Sequence, residues 1–222
     1  MILSFEPVTH TYAVDGVPYH AVTSLLRAFG IVDYSAIPAP ILEEARYRGT
    51  VVHQALHYWN EGDLDAEQFA ADFPAYVGYL AGWQAFCQQR TFTAHHCEYR
   101  VAAPSLGVAG TIDVLGELDG RGVLLDFATG TPADAAKDLQ TAAYLLLAYE
   151  WRQHDDALDQ YLTQFPSVAR YAVALRKDGT FHLERYPDPR DLRAFSTLAE
   201  ARRIIDRHAR AARPLALIGG IS

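Results

Sequence analysis

Hydrophobic positions change their spacing along the chain in an order that sets the expected architecture. Residues 1–20 alternate loosely between apolar and polar, and Asp15-Gly16 is a strong hairpin signal, so short strands are expected there. Residues 24–29 read as a short helix, capped by Thr23 and stopped by Gly30. Pro38 and Pro40 precede a helical stretch over residues 41–59, and a second helix is expected over 66–89, with Pro74 as its kink or boundary. The period then shortens. Residues 97–103, 107–118 and 122–127 read as strands, and the short Asp119-Gly120 link makes the last two an antiparallel hairpin. A helix over 133–153 shows an apolar face of Leu139, Ala142, Ala143, Leu146 and Leu147. Strands over 168–175 and 180–186 follow, joined by Lys177-Asp178-Gly179, and a last helix over 189–211 ends before Pro214.

Helices first, then β-β-β-α-β, predicts an α/β fold: a central mixed β-sheet flanked by helices, with an N-terminal helical elaboration. At 222 residues the chain is expected to form one domain, with strands and helices over 1–92, a sheet core over 93–186 and a C-terminal helix over 187–222. Charge narrows the function. The net charge of -8 argues against a protein that holds nucleic acid by bulk charge alone, but not against an enzyme whose acidic site binds cations. Cys87 and Cys97 are the only cysteines, which excludes a four-cysteine metal site. No apolar run approaches the roughly 18 residues of a membrane span, and Met1-Ile2-Leu3-Ser4-Phe5-Glu6 lacks the basic start of a signal peptide. A cytoplasmic location without a membrane partner is the expectation.

The candidate chemistry lies on the central strands. Asp113 sits within an apolar strand, and Asp126 ends another thirteen positions on. A carboxylate in a buried strand is costly unless paired or bound to metal, and neither acid has a basic sequence neighbour. Hard divalent ions prefer such oxygens; the competing reading is that both acids cap turns at strand ends. Glu98 begins the preceding strand and could join the cluster, or stand as an exposed edge residue. His53 and His57 share a helix face, but Gln54 stands where a zinc protease of the HExxH type needs glutamate. Gly49, one turn before His53, would let that helix approach another backbone closely. Gln140 and Tyr144 are four apart on the helix after the Asp126 strand and so point together toward its end. Arg46 and Arg48 before His53, Arg100 two residues after Glu98, and Arg176 with Lys177 at a turn are candidate phosphate contacts.

Taken in order, Gly49-x-x-x-His53, Glu98, Gly110-Thr111-Ile112-Asp113, Asp126-Phe127-Ala128-Thr129-Gly130 and Gln140-x-x-x-Tyr144 resemble the PD-(D/E)XK nuclease superfamily, in its RecB-like and phage-exonuclease branch. Thr9-His10-Thr11-Tyr12 and Val22-Thr23-Ser24-Leu25-Leu26 also resemble the start of phage-encoded members. The resemblance implies a restriction-endonuclease-like core. It implies one or two Mg2+ or Mn2+ ions on Asp113, Asp126 and the Phe127 carbonyl, with His53 and Glu98 beside them. Gln140 and Tyr144 would orient DNA or the attacking water. The implied activity is exonucleolytic hydrolysis of linear duplex DNA in phage or bacterial recombination, with a recombination or single-strand-annealing protein as a partner. One position departs from the pattern: Ala128 stands where the family carries a lysine. That departure implies a chain impaired by a lysine-to-alanine change, with a naturally inactive DNA-binding fold as the alternative. Lys137, nine residues on, could substitute only if its side chain reached back.

Overall fold

Asp15 and Gly16 both take positive φ, 48° and 78°, the backbone of a tight hairpin turn. They fold β2 (Thr11–Val14) back on β3 (Val17–Ala21), and β1 (Leu3–Glu6) pairs with the other edge of β2. These strands belong to a computed structural model that describes residues 1–130 and 136–211. Helix α1 (Val22–Ala28) follows β3 directly. It starts earlier than the sequence suggests and uses no side-chain cap, because Thr23 already lies inside its first turn; Gly30, at φ 68°, ends it as expected. Pro38 and Pro40 do open α2 (Ala39–Glu61), where a missing N–H costs nothing. Pro74 divides what the sequence suggests is one helix into α3 (Ala66–Asp72) and α4 (Val77–Gln89).

The long strands β4 (Phe92–Ala103), β5 (Val108–Leu118) and β6 (Arg121–Ala128) form an antiparallel meander. Helix α5 (Lys137–Trp151) and α6 (Asp156–Gln164) cross over to β7 (Ala169–Leu175), which runs parallel to β6; β8 (Phe181–Arg185) and α7 (Arg190–Ala211) complete the chain. The first residues of the helix expected from 133, and Pro214 with the tail, lie outside the described residues. Helix α6 has no counterpart in the sequence reading. Asp155 caps it by accepting from the N–H groups of Ala157 and Leu158, and Leu158, Tyr161 and Leu162 bury its inner face.

The result is an eight-stranded mixed sheet in the order β1-β2-β3-β5-β6-β7-β8, with β4 on β5, flanked by helices as a restriction-endonuclease-like core would be. Alternate residues of β6 feed two hydrophobic clusters. Leu124 packs with α1, α5, α6 and α7, and Val123, Leu125 and Phe127 pack with α2, α3 and α4. No helix among the described residues is long and apolar enough to cross a membrane.

Two close approaches fix the periphery. Arg170 of β7 is 4% exposed and donates to the Asp138 carbonyl at 2.7 Å, the Asp188 carbonyl at 2.8 Å and the Asp191 carboxylate at 2.7 Å. It thereby ties β7 to the first turns of α5 and α7. On the other side of the sheet, a Cβ on Gly78 would lie 1.8 Å from the Lys177 carbonyl oxygen. Both sides of that contact are backbone, so neither can rotate away. Gly78→Ala is expected to cost about 1–3 kcal/mol of stability or more, read as a lowered urea midpoint with an unchanged slope; an unaltered midpoint would mean that α4 and the β7–β8 turn slide apart freely.

Candidate metal centre

The two edges of β5 are treated differently. Along one, β4 pairs from Val108 to Leu118. The other is shared: β3 runs parallel to it at Val108 and Ala109, and β6 runs antiparallel from Val114 to Leu118. Between them, residues 110–113 meet no strand on that edge among the described pairings. The sheet splits there, and strand backbone left open in this way is where ligands are commonly received. A cleft of about 280 Å³ occupies the split.

Asp113 and Asp126 face each other across it. The Phe127 N–H, left without a β5 carbonyl, donates to Asp113 Oδ2 at 2.6 Å. His53 comes from α2, with Nδ1 3.4 Å from Asp113 Oδ1 and 3.9 Å from Glu98 Oε1; its ring stands edge-on to Phe127. Glu98 adopts φ 48°, a left-handed backbone that a non-glycine residue takes only at a cost. The strain falls where the glutamate turns its carboxylate toward Asp113. Ligand atoms of His53, Glu98 and Asp113 all lie within 4.8 Å of one another.

From the opposite face of the sheet, α5 supplies Gln140, whose Nε2 donates to Asp126 Oδ1 at 2.9 Å and to Tyr144 Oη at 3.1 Å. Tyr144 fits only because residue 110 is glycine: a Cβ there would lie 2.7 Å from its ring. Lys137, also on α5, places Nζ against Asp126 Oδ2 and 3.4 Å from the Phe127 carbonyl oxygen. Tyr12 Oη bonds Thr111 Oγ1 at 2.8 Å, and His10, Tyr12 and Thr23 complete the cleft wall.

The electrostatics reflect crowded negative charge. Burial lifts Glu98, and Asp113 lifts it further, to about 7. Burial likewise raises Asp126 to about 6, with Lys137 opposing and Asp113 adding. Burial opposes ionisation of Asp113 too, but His53, the Phe127 N–H and Lys137 prevail and hold it below the usual carboxylate range. Burial disfavours a charged His53, yet the surrounding carboxylates push it up to about 9. Tyr144 is held protonated, first by burial and then by the two aspartates. The carboxylates of Glu98 and Asp113 with His53, in a cleft that Asp126 also lines, form a hard, mostly oxygen donor set that suits a divalent cation.

The cleft therefore brings together His53, Glu98, Asp113, Asp126, Phe127, Gln140 and Tyr144. It does not gather the arginines. Arg48 lies near its rim, with Nε 3.4 Å from Thr129 Oγ1, whereas Arg46 is exposed on α2 and Arg176 and Lys177 are exposed on the β7–β8 turn. Arg100 lies over the Phe5 ring, in a neighbouring groove that shares Glu98. His57 pairs with Glu61 at 3.5 Å, away from the cleft. Gly49 is not the close-packing position its place before His53 suggests: no heavy atom lies within 4 Å of where its Cβ would be, so that face of α2 is open. Ala128 ends β6 opposite Ala174 and does not line the cleft. Lys137, expected only as a substitute for position 128 if it reached back, does reach Asp126, whereas Tyr12, His10 and Thr23, quoted in motifs without a site role, also line the cleft. The signals were the rarity of lysine, of which Lys137 is one of two, and the motif stretches that hold His10, Tyr12 and Thr23.

No protein-family model matches the chain, and no curated protein matches it in sequence. Among solved structures, the crystal structure of a candidate exonuclease from Eubacterium rectale is similar, with a TM-score of 0.47 and 14% identity over 92% of this chain and 91% of that one. A likeness of that depth assigns no residue a role.

Proposed function

We propose that this protein is a metal-dependent nuclease that hydrolyses phosphodiesters in DNA. The observation that carries the reading is the convergence of His53, Glu98, Asp113 and Asp126, from four separate elements, at one split in the sheet. Asp113, Glu98 and His53 would hold a Mg2+ or Mn2+ ion, with Asp126 and the Phe127 carbonyl adjoining it. When bound, such an ion lowers the pKa of its water and neutralises charge on the phosphate.

The chain's own residues supply orientation. Gln140 fixes the Asp126 carboxylate by donating to it. It donates to the Tyr144 oxygen as well, which leaves the phenolic proton directed to an acceptor in the cleft, such as a phosphate oxygen. Because burial keeps Tyr144 protonated, it serves as a donor rather than a base. Exonucleolytic action at duplex ends follows from the resemblance to RecB-like and phage enzymes.

The test is an end-labelled linear duplex, beside a closed circular duplex, with Mg2+ or Mn2+. Degradation of the linear form alone is expected. Cleavage of both would make the enzyme an endonuclease. Binding without cleavage under either metal would favour the second reading, a non-cutting DNA-binding fold, which Ala128 supports.

A further inference from the structure

We propose that Lys137, carried on the first turn of α5, performs the function that the nuclease family places at position 128, so that this chain is a competent enzyme with its lysine relocated. The inference rests on the nuclease reading above.

Geometry supports it in three ways. Lys137 Nζ lies against Asp126 and within 3.4 Å of the Phe127 carbonyl, and the side chain is 12% exposed. An ammonium group buried to that degree needs a local reason, and the cleft's carboxylates provide it. The stalk is also fixed. Thr141 Oγ1 donates to the Lys137 carbonyl at 2.7 Å, and Arg170 Nη1 donates to the Asp138 carbonyl at 2.7 Å, so the first turn of α5 is pinned from below. Finally, residues 126 and 128 lie two apart on β6 and project to the same face of the sheet. A lysine at 128, whose longer side chain could extend where alanine stops short of the cleft, would leave the strand on the same face as Asp126, the carboxylate that Lys137 already meets.

The step asked of Lys137 is electrostatic. In the hydrolysis, the water oxygen bonds to phosphorus as the bridging P–O bond breaks, and one water proton ends on the departing oxygen. Lys137 stays an ammonium throughout and donates hydrogen bonds to the attacking water and to a phosphate oxygen, where negative charge grows.

The experiment compares the parent, Lys137→Ala, Ala128→Lys and the double variant Lys137→Ala/Ala128→Lys on end-labelled duplex with Mn2+. Mn2+ binding is followed by calorimetry without DNA, and folding by melting temperature. The parent is expected to cleave. Lys137→Ala should lose about 10²- to 10³-fold in kcat with little change in KM and with Mn2+ binding retained. The double variant should recover most of that loss, which a merely structural lysine at 137 would not allow. Full activity in Lys137→Ala would overturn the proposal. So would cleavage that appears only on adding lysine at 128; in both cases the nuclease reading survives. If all four fold and bind Mn2+ but none cleaves, the nuclease reading itself falls, and the relocation with it.

Discussion

Asp113→Asn is expected to lower the cleavage rate roughly 10⁴-fold. A bound metal contributes several kcal/mol of charge stabilisation in the transition state, and each 1.36 kcal/mol is about a tenfold change in rate. Asp113 belongs to the His53–Glu98–Asp113 group and lines the same cleft as Asp126. Asparagine keeps its shape and an oxygen to accept the Phe127 N–H. It gives up attraction to His53, but it also relieves repulsion toward Glu98 and Asp126, and these changes oppose each other. Folding should therefore survive, with a melting temperature close to that of the parent. Mn2+ should raise the melting temperature of the parent, because ligand binding to the folded state stabilises it, and should raise that of the variant far less. Near-parental cleavage by Asp113→Asn would sink the assignment of this residue to the metal.

Arg170→Met is expected to cost about 3–5 kcal/mol of folding stability, the usual penalty for removing one partner of a buried ion pair. Asp191, whose side chain is 16% exposed, would lose its counter-charge, and the carbonyls of Asp138 and Asp188 would each lose a donor. For a chain of this size the loss corresponds to a fall of roughly 6–20 °C in melting temperature. Asp191→Asn, which leaves the guanidinium its carbonyl partners, should cost clearly less. Equal losses in the two variants would mean that the pair matters only as a pair and that the carbonyl contacts contribute little. Because Arg170 pins the turn that bears Lys137, its replacement should also slow cleavage at temperatures where the variant remains folded.

Much of the sheet was legible because its signals are local. The Asp119-Gly120 turn announces the β5–β6 hairpin, and Asp15-Gly16 announces β2–β3. The facing of Asp113 and Asp126 follows from their places on paired strands, and the shared reach of Gln140 and Tyr144 follows from helical spacing. What stayed hidden depends on contacts between distant segments. The parallel seam of His20 and Ala21 on Val108 and Ala109 opens the cleft and brings Tyr12 to Thr111, ninety-nine positions away. No periodicity encodes that pairing. Arg170 falls inside an expected strand with nothing to mark it, since its partners lie on two helices that flank the strand only in the fold. Lys137 was misleading in a different way. Its distance of nine residues from 128 suggests remoteness, whereas the first turn of α5 sets its side chain against Asp126. Arg46, Arg48 and Arg100 stand out by sequence proximity to site residues, and proximity in sequence does not fix direction: Arg46 and Arg48 are two apart on one helix, yet only Arg48 reaches a residue beside the cleft.

The two hydrophobic clusters on opposite faces of the sheet carry a consequence for timing. His53 arrives with α2 on one face; Lys137, Gln140 and Tyr144 arrive with α5 on the other. Neither layer alone assembles the site. A nascent or partly unfolded chain that has formed only one layer surrounds the carboxylates of the sheet incompletely, lacking either His53 or the donors Lys137, Gln140 and Tyr144. On the function proposed above, cleavage would be withheld until the last layer docks, and the fold itself would be the safety catch.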